Sequence, residues 1–391
     1  MRYKIDIVKT FTKFIYIYIF VVILSCSSVY AMEDVIMEQS EKIGIVTYIE
    51  DANKYIENNL EIDVQETFNN LIKGQTGDVK NTVINKILEM LGGEFKNAIV
   101  LIGKILVVVF IASMLNHLSN SFGNNSGVSQ IGFFIAYITI IILVMSTFNS
   151  MLGIASEAIE KMSAFMYSTV PIFFTLILAT GSITTASIFQ PILLGATSVI
   201  TVLVNSIVMP GILIYTVLNI VSNLSEKEQL KKLSDFVKGT TLWILGLSLT
   251  ITIGIISLEG SLSSSIDGMT AKTAKTAMST FIPVVGKTLG DAIDTVMGST
   301  LILKNAVGML GVIVLLGIGL IPVIKVGILM GLYYLASAII EPISDSRIVK
   351  CLGYVGDSLK LLLAILITIT FIYVIAITLL IKITNFTFTY R

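Results

Sequence analysis

An all-α, polytopic membrane helix bundle is the fold class this sequence predicts, and three observations predict it. Of its 391 residues, 54% are hydrophobic and only 13% charged, where an average soluble domain carries about a quarter charged. Mean hydropathy is +0.89. Uncharged apolar runs of the length that crosses a bilayer, about 20 residues, recur from residue 95 onward. Ahead of them lie a leader-like segment and an acidic stretch.

The leader comes first. Arg2, Lys4, Lys9 and Lys13 form a basic start, Phe14 to Leu24 an apolar core, and Val29-Tyr30-Ala31 a small-residue cleavage pattern. This predicts a secretory signal peptide over 1–31, cleaved after Ala31; the alternative is an uncleaved first anchor. Residues 32–94 hold thirteen Asp and Glu against five Lys, half of the chain's 26 acids. Ile45, Ile49, Ala52, Ile56 and Leu60 follow helical spacing, so an amphipathic helix is expected there. A second is expected over Val83 to Leu91, capped by Asp78 and stopped by Gly92-Gly93. The region reads as an exported helical unit, either packed on its own membrane domain or reaching for a partner.

Residues 95–391 form the membrane domain. Apolar runs lie near 97–118, 130–150, 165–181, 186–208, 210–224, 239–258, 305–340 and 361–381, which predicts about seven to nine spans. Between Asn97 and Ser225 the only ionised side chains are Lys104, Glu157, Glu160 and Lys161. A Lys-rich loop is expected over Glu226 to Lys238. This loop and the one with Arg347 and Lys350 are the candidates for the cytoplasmic side.

Proline removes a backbone donor, so Pro171, Pro210, Pro283 and Pro322 are candidate helix breaks. Pro171 and Pro210 are 39 residues apart, as are Pro283 and Pro322. This suggests an internal repeat of 151–258 with 263–381, the alternative being coincidence of apolar spacing. Duplications of this kind place a functional path at the repeat interface.

Chemistry is sparse. One His (His117) and two Cys (Cys26, Cys351) leave no ligand set for a zinc site. Balanced charge, 26 basic and 26 acidic residues, gives no footprint for nucleic acid. Gly286-Lys287-Thr288 ends like a phosphate loop, but Phe281 stands where the pattern needs glycine. No nucleophile–base pairing is visible, so no enzyme and no cofactor are expected.

The most polar part of the membrane domain is 259–308. Lys287, Asp291 and Asp294 share one helical face. At membrane depth such a face marks an assembly or pore-lining surface; at the interface it is a solvated stripe. Lys304 and Asn305 follow in the same segment and join the candidate assembly or pore-lining set. Gly327 and Gly331 form a G-x-x-x-G pair, a candidate for close helix packing.

The segments Lys272-Thr273-Ala274-Lys275, Phe281-Ile282-Pro283-Val284-Val285-Gly286, Leu303-Lys304-Asn305-Ala306-Val307-Gly308 and Glu341-Pro342-Ile343-Ser344-Asp345-Ser346-Arg347 resemble the stage III sporulation protein AE family of endospore-forming bacteria. The resemblance covers about 95–381. It implies an integral membrane component of a channel or secretion-like complex linking mother cell and forespore. The implied partners are the other membrane proteins of the stage III sporulation A operon, a cytoplasmic ATPase and, indirectly, a forespore membrane protein. The implied location is the multi-pass mother-cell membrane around the forespore, and the implied role lies in late forespore development. A self-sufficient permease-like secondary transporter is the competing reading.

Overall fold

The computed structural model describes residues 44–60, 63–73, 92–96, 98–114, 127–224, 230–254 and 285–383, and within these it is helical without a strand. The elements are α1 (Ile45–Leu60), α2 (Val64–Ile72), α3 (Gly92–Met114), α4 (Gly127–Ala179), α5 (Ile183–Leu203), a π-helical turn (Val204–Val208), α6 (Met209–Leu224), α7 (Lys231–Gly254), α8 (Val285–Ile340) and α9 (Ser346–Ile383). Six helical stretches among these residues are long and apolar enough to cross a membrane. The leader, the helix expected over 83–91, His117 and Pro283 lie outside the described residues.

The centre is an antiparallel hairpin of α8 and α9. Its helices approach closely because glycines line the seam. A methyl group added at Gly308 would run into Ile381 and Phe173, one at Gly311 into Ile377 and Tyr48, and one at Gly319 into Thr370. Further along, Gly356 lies against the Tyr334 ring, and the Ser337 hydroxyl donates to the Val349 carbonyl at 3.1 Å. Each step up α8 is thus a step down α9. Without apolar solvent contrast between helices and lipid, such backbone approach is what drives association in a bilayer.

Gly331 of the G-x-x-x-G pair lies off this seam. Gly331 has nothing within 4 Å of an added methyl. Twelve residues past Gly319, it points about a third of a turn away from the seam. Close packing of α8 on α9 runs through Gly308, Gly311 and Gly319.

The hairpin turn is secured from three sides. Asp345 caps α9, accepting from the Arg347 amide at 2.9 Å and from the Arg347 guanidinium at 3.1 Å. Asn223 of α6 donates to the Arg347 carbonyl at 2.6 Å and to the Tyr137 hydroxyl of α4 at 3.2 Å. Ser113 of α3 donates to the Ile343 carbonyl. Burial pushes the Asp345 carboxyl up, but the Arg347 hydrogen bonds and charge outweigh this and hold it below the usual carboxylate range.

The helices do not break at their prolines. Pro171 and Pro322 lie inside continuous helices of 53 and 56 residues. Run 130–150 and most of run 165–181 therefore lie on one continuous helix. At Pro210 the chain stays helical by widening: the Met209 amide bonds the Val204 carbonyl in a π-type turn. The inserted residue shifts the hydrogen-bond register just before a residue that lacks N–H. As a result 186–208 and 210–224 also join, as Ile183–Asn223. The real reversal follows α4 at Gly181, whose φ of 82° is a left-handed conformation suited to glycine at a helix end. Gly181 comes ten residues after Pro171, whereas α8 is unbroken helix at the position ten residues after Pro283.

The acidic region contributes α1 with its expected stripe: Ile45, Ile49, Ala52 and Ile56 are buried. A further helix, α2, escaped the sequence reading, although Asp63 and Glu66 spell its start. The Asp63 carboxylate accepts from the Glu66 amide at 3.0 Å, an N-cap. The loop expected over Glu226 to Lys238 is shorter than it reads, since α7 already begins at Lys231.

Two substitutions test the glycine seam. Gly319→Leu is expected to cost about 1–3 kcal/mol through overpacking against Thr370. Gly331→Ala, in open space on a helix, is expected to be neutral or to stabilise by up to about 1 kcal/mol. Thermal unfolding of both purified variants in detergent measures the difference.

Candidate functional site

Interior polar groups gather at two places. The first is a seam where α4, α5 with its π turn, and α9 meet. Thr201 donates to the Ser163 hydroxyl at 2.8 Å and lies 3.1 Å from the Tyr373 hydroxyl. One turn away, Asn205 accepts from Ser156 at 3.2 Å and donates to Glu160 at 3.1 Å. Asn205 sits in the π turn, where the wider coil swings its amide toward α4. Glu160 is exposed, as is the neighbouring Glu157, which pairs with Lys161 at 2.7 Å. Local sequence could not reveal this seam, because Ser156, Glu160, Ser163, Thr201, Asn205 and Tyr373 come from three distant segments. The one signal was the presence of Glu157, Glu160 and Lys161 inside an otherwise uncharged stretch.

The second place is the first half of α8. Lys304 is fully buried, and its ammonium donates to the Ile381 carbonyl at 2.8 Å. Ile381 lies in the last turn of α9, whose carbonyls have no intrahelical donor. Lys304 thus caps a helix C-terminus, where a cation also meets the favourable end of the dipole. It is an internal lock between α8 and α9 in this chain. Asn305 is half-buried, and its side-chain oxygen is buried without a hydrogen bond. Lys287, Asp291 and Asp294 lie on the first turns of α8, on one face by register; their side chains lie outside the described residues.

A third feature joins the acidic region to this half. The Tyr48 hydroxyl donates to the Val307 carbonyl at 3.0 Å, and the Tyr48 ring lies 5.8 Å from that of Phe165. Burial raises the Tyr48 phenol above its ordinary range, so it remains a donor at neutral pH. α1 is therefore anchored on the central hairpin and on α4.

Lys304→Met keeps the stem length and removes the cap. The expected outcome is a loss of about 1–2 kcal/mol, together with faster hydrogen exchange of the last turn of α9 than in the wild type. Exchange mass spectrometry on the purified protein reads the second effect directly.

Comparison with known proteins places the chain. The family described as Stage III sporulation protein AE matches residues 62–384. The chain is 34% identical over 258 residues to "Stage III sporulation protein AE" of Bacillus subtilis (strain 168). That alignment covers 66% of this chain and 64% of the relative, so it spans just under two thirds of the relative's length. No solved structure matches. With six apolar helices of spanning length and a family match over most of its length, the chain belongs to the stage III sporulation protein AE family, a family of sporulation proteins, and is multi-pass by its helices.

Proposed function

We propose that this protein is the integral membrane component of the channel or secretion-like complex that links mother cell and forespore and sustains late forespore development. Family membership is the observation that carries the reading. It sits in the mother-cell membrane around the forespore. Its partners are the other membrane proteins of the stage III sporulation A operon and a cytoplasmic ATPase, with a forespore membrane protein reached indirectly.

Two features of the fold support a subunit role over a self-sufficient transporter. Lys304, fully buried in the bundle, donates to the last turn of α9, which gives this charge a structural task between two helices. The α1 helix of the acidic region is docked on the hairpin, which ties that region to the membrane core. The transporter reading draws its support from the polar seam around Asn205 and Glu160. It requires uptake by the purified chain alone in vesicles.

The polar face at the start of α8 gives the functional test. Asp291→Asn with Asp294→Asn keeps side-chain size while removing two charges. The expected outcome is a block in sporulation after engulfment, at least tenfold in heat-resistant spore yield, with normal membrane levels of the protein. Wild-type spore yield at normal levels removes this face from the function. Loss of the protein itself assigns the carboxylates to the fold.

A further inference from the structure

The bundle is more than twice as tall as a bilayer core. The part of α8 from Thr295 to Ile340, 46 residues, spans about 69 Å at about 1.5 Å per residue, against a hydrocarbon thickness of about 30 Å. Only one level of the bundle can lie in lipid, and the distribution of charge identifies it.

Four helices carry uncharged stretches of matching length. On α8 the stretch Asn305 to Ile324 is bracketed by Lys304 and Lys325, and on α9 the stretch Leu361 to Ile381 is bracketed by Lys360 and Lys382. After Lys161, α4 carries no charge from Met162 to Ala179, and α5 has none in its 21 residues. These stretches lie side by side. Gly308 meets both Ile381 and Phe173, Thr370 lies against Gly319 and 3.6 Å from the Met162 sulfur, and Thr201 joins Ser163 to Tyr373. At 18 to 21 residues each, they measure about 27–32 Å. Glu157, Lys161 and the Lys325–Glu94 pair form one rim. Lys304 and Lys382 stand at the other.

On the outside of this level α5 exposes Ile183, Ile188, Ile192, Val199 and Val202. The other half of the bundle is different: exposed Lys104, Asp235 and Lys350 interrupt its outer surface. The uncharged level therefore fits lipid, yet one side of it cannot touch lipid. Tyr48 and Tyr55 both pack on Phe165, and Tyr48 reaches Val307, so α1 lies between the two rims. Its outward residues include exposed Glu50 and Lys54, and α2 adds exposed Asp63 and Glu66. Ionised groups at bilayer depth are costly and face protein or water.

We propose that the uncharged level is the membrane-embedded part of this protein, that the α5 stripe faces lipid, and that the outer face of α1 borders water at the same depth. The proposal rests on the reading of the chain as a membrane channel component and names which of its faces lines the aqueous side.

Spin labels test it in the full chain, with Cys26→Ala and Cys351→Ala, reconstituted in bilayers of phosphatidylcholine and phosphatidylglycerol. Single cysteines replace Ile192, Val199, Glu50 and Lys54. Collision with oxygen reports lipid, and collision with a water-soluble nickel chelate reports water. The expected result is oxygen-dominated relaxation at 192 and 199 and nickel-dominated relaxation at 50 and 54, with the oxygen-to-nickel ratio differing at least tenfold between the two pairs. Nickel-dominated relaxation at 192 and 199 overturns the proposal by moving the uncharged level out of lipid. Oxygen-dominated relaxation at 50 and 54 overturns it by placing lipid on α1. Spore yield of a strain carrying the wild-type chain or its deletion tests the channel reading separately, so failure of either claim is recognisable.

Discussion

Close approach of α8 and α9 through glycine is the constraint on which the rest of the structure depends. In lipid, apolar side chains gain little by leaving one hydrocarbon environment for another. A helix pair must therefore gain its stability from contact distance and from satisfied polar groups. Gly308, Gly311 and Gly319 supply the first. Lys304 on the Ile381 carbonyl, at one end of the hairpin, and the Asp345 cap with its Arg347, at the other, supply the second. The other helices are arranged around this hairpin.

The same logic explains why proline is tolerated so freely. A missing N–H in lipid has to be compensated locally. α4 and α8 run through Pro171 and Pro322, and before Pro210 the chain inserts a π turn. That turn does more than absorb a proline, because it carries Asn205 into contact with Ser156 and Glu160. Backbone accommodation and the polar seam are one feature seen from two sides. Direction is instead reversed where the backbone can turn at little cost, at Gly181 and over Ile340 to Asp345.

α1 links this core to the acidic part of the chain. Its aliphatic stripe is buried, yet the decisive group is polar: a tyrosine hydroxyl reaching a main-chain carbonyl of α8 beside the glycine seam. Because Gly311 leaves room there, Tyr48 enters the groove between α8 and α4. The acidic side of the helix is left outward, next to the apolar level of the bundle. A family whose members act in sporulation thus presents, in this chain, a membrane bundle with one charged flank and one aliphatic flank.

Much was legible in the residues themselves, because hydropathy and helical periodicity are local properties. The all-helical membrane class, the stripe of Ile45, Ile49, Ala52 and Ile56, and the family motifs around Lys304 and Pro342 all follow from neighbouring positions. The Asp63–Glu66 start of α2 is equally local. What tertiary structure alone decided are the quantities set by partners far away in sequence. Whether a proline breaks a helix depends on how its surroundings satisfy the freed carbonyl, so apolar runs counted singly overstate the number of helices. Whether a glycine marks an interface depends on what faces it, and Gly319 meets Thr370 while Gly331 meets open space. Whether a lysine is exposed or buried depends on the helix end it finds: Lys304 lies 77 residues before its acceptor at Ile381, a pairing that only the folded hairpin creates.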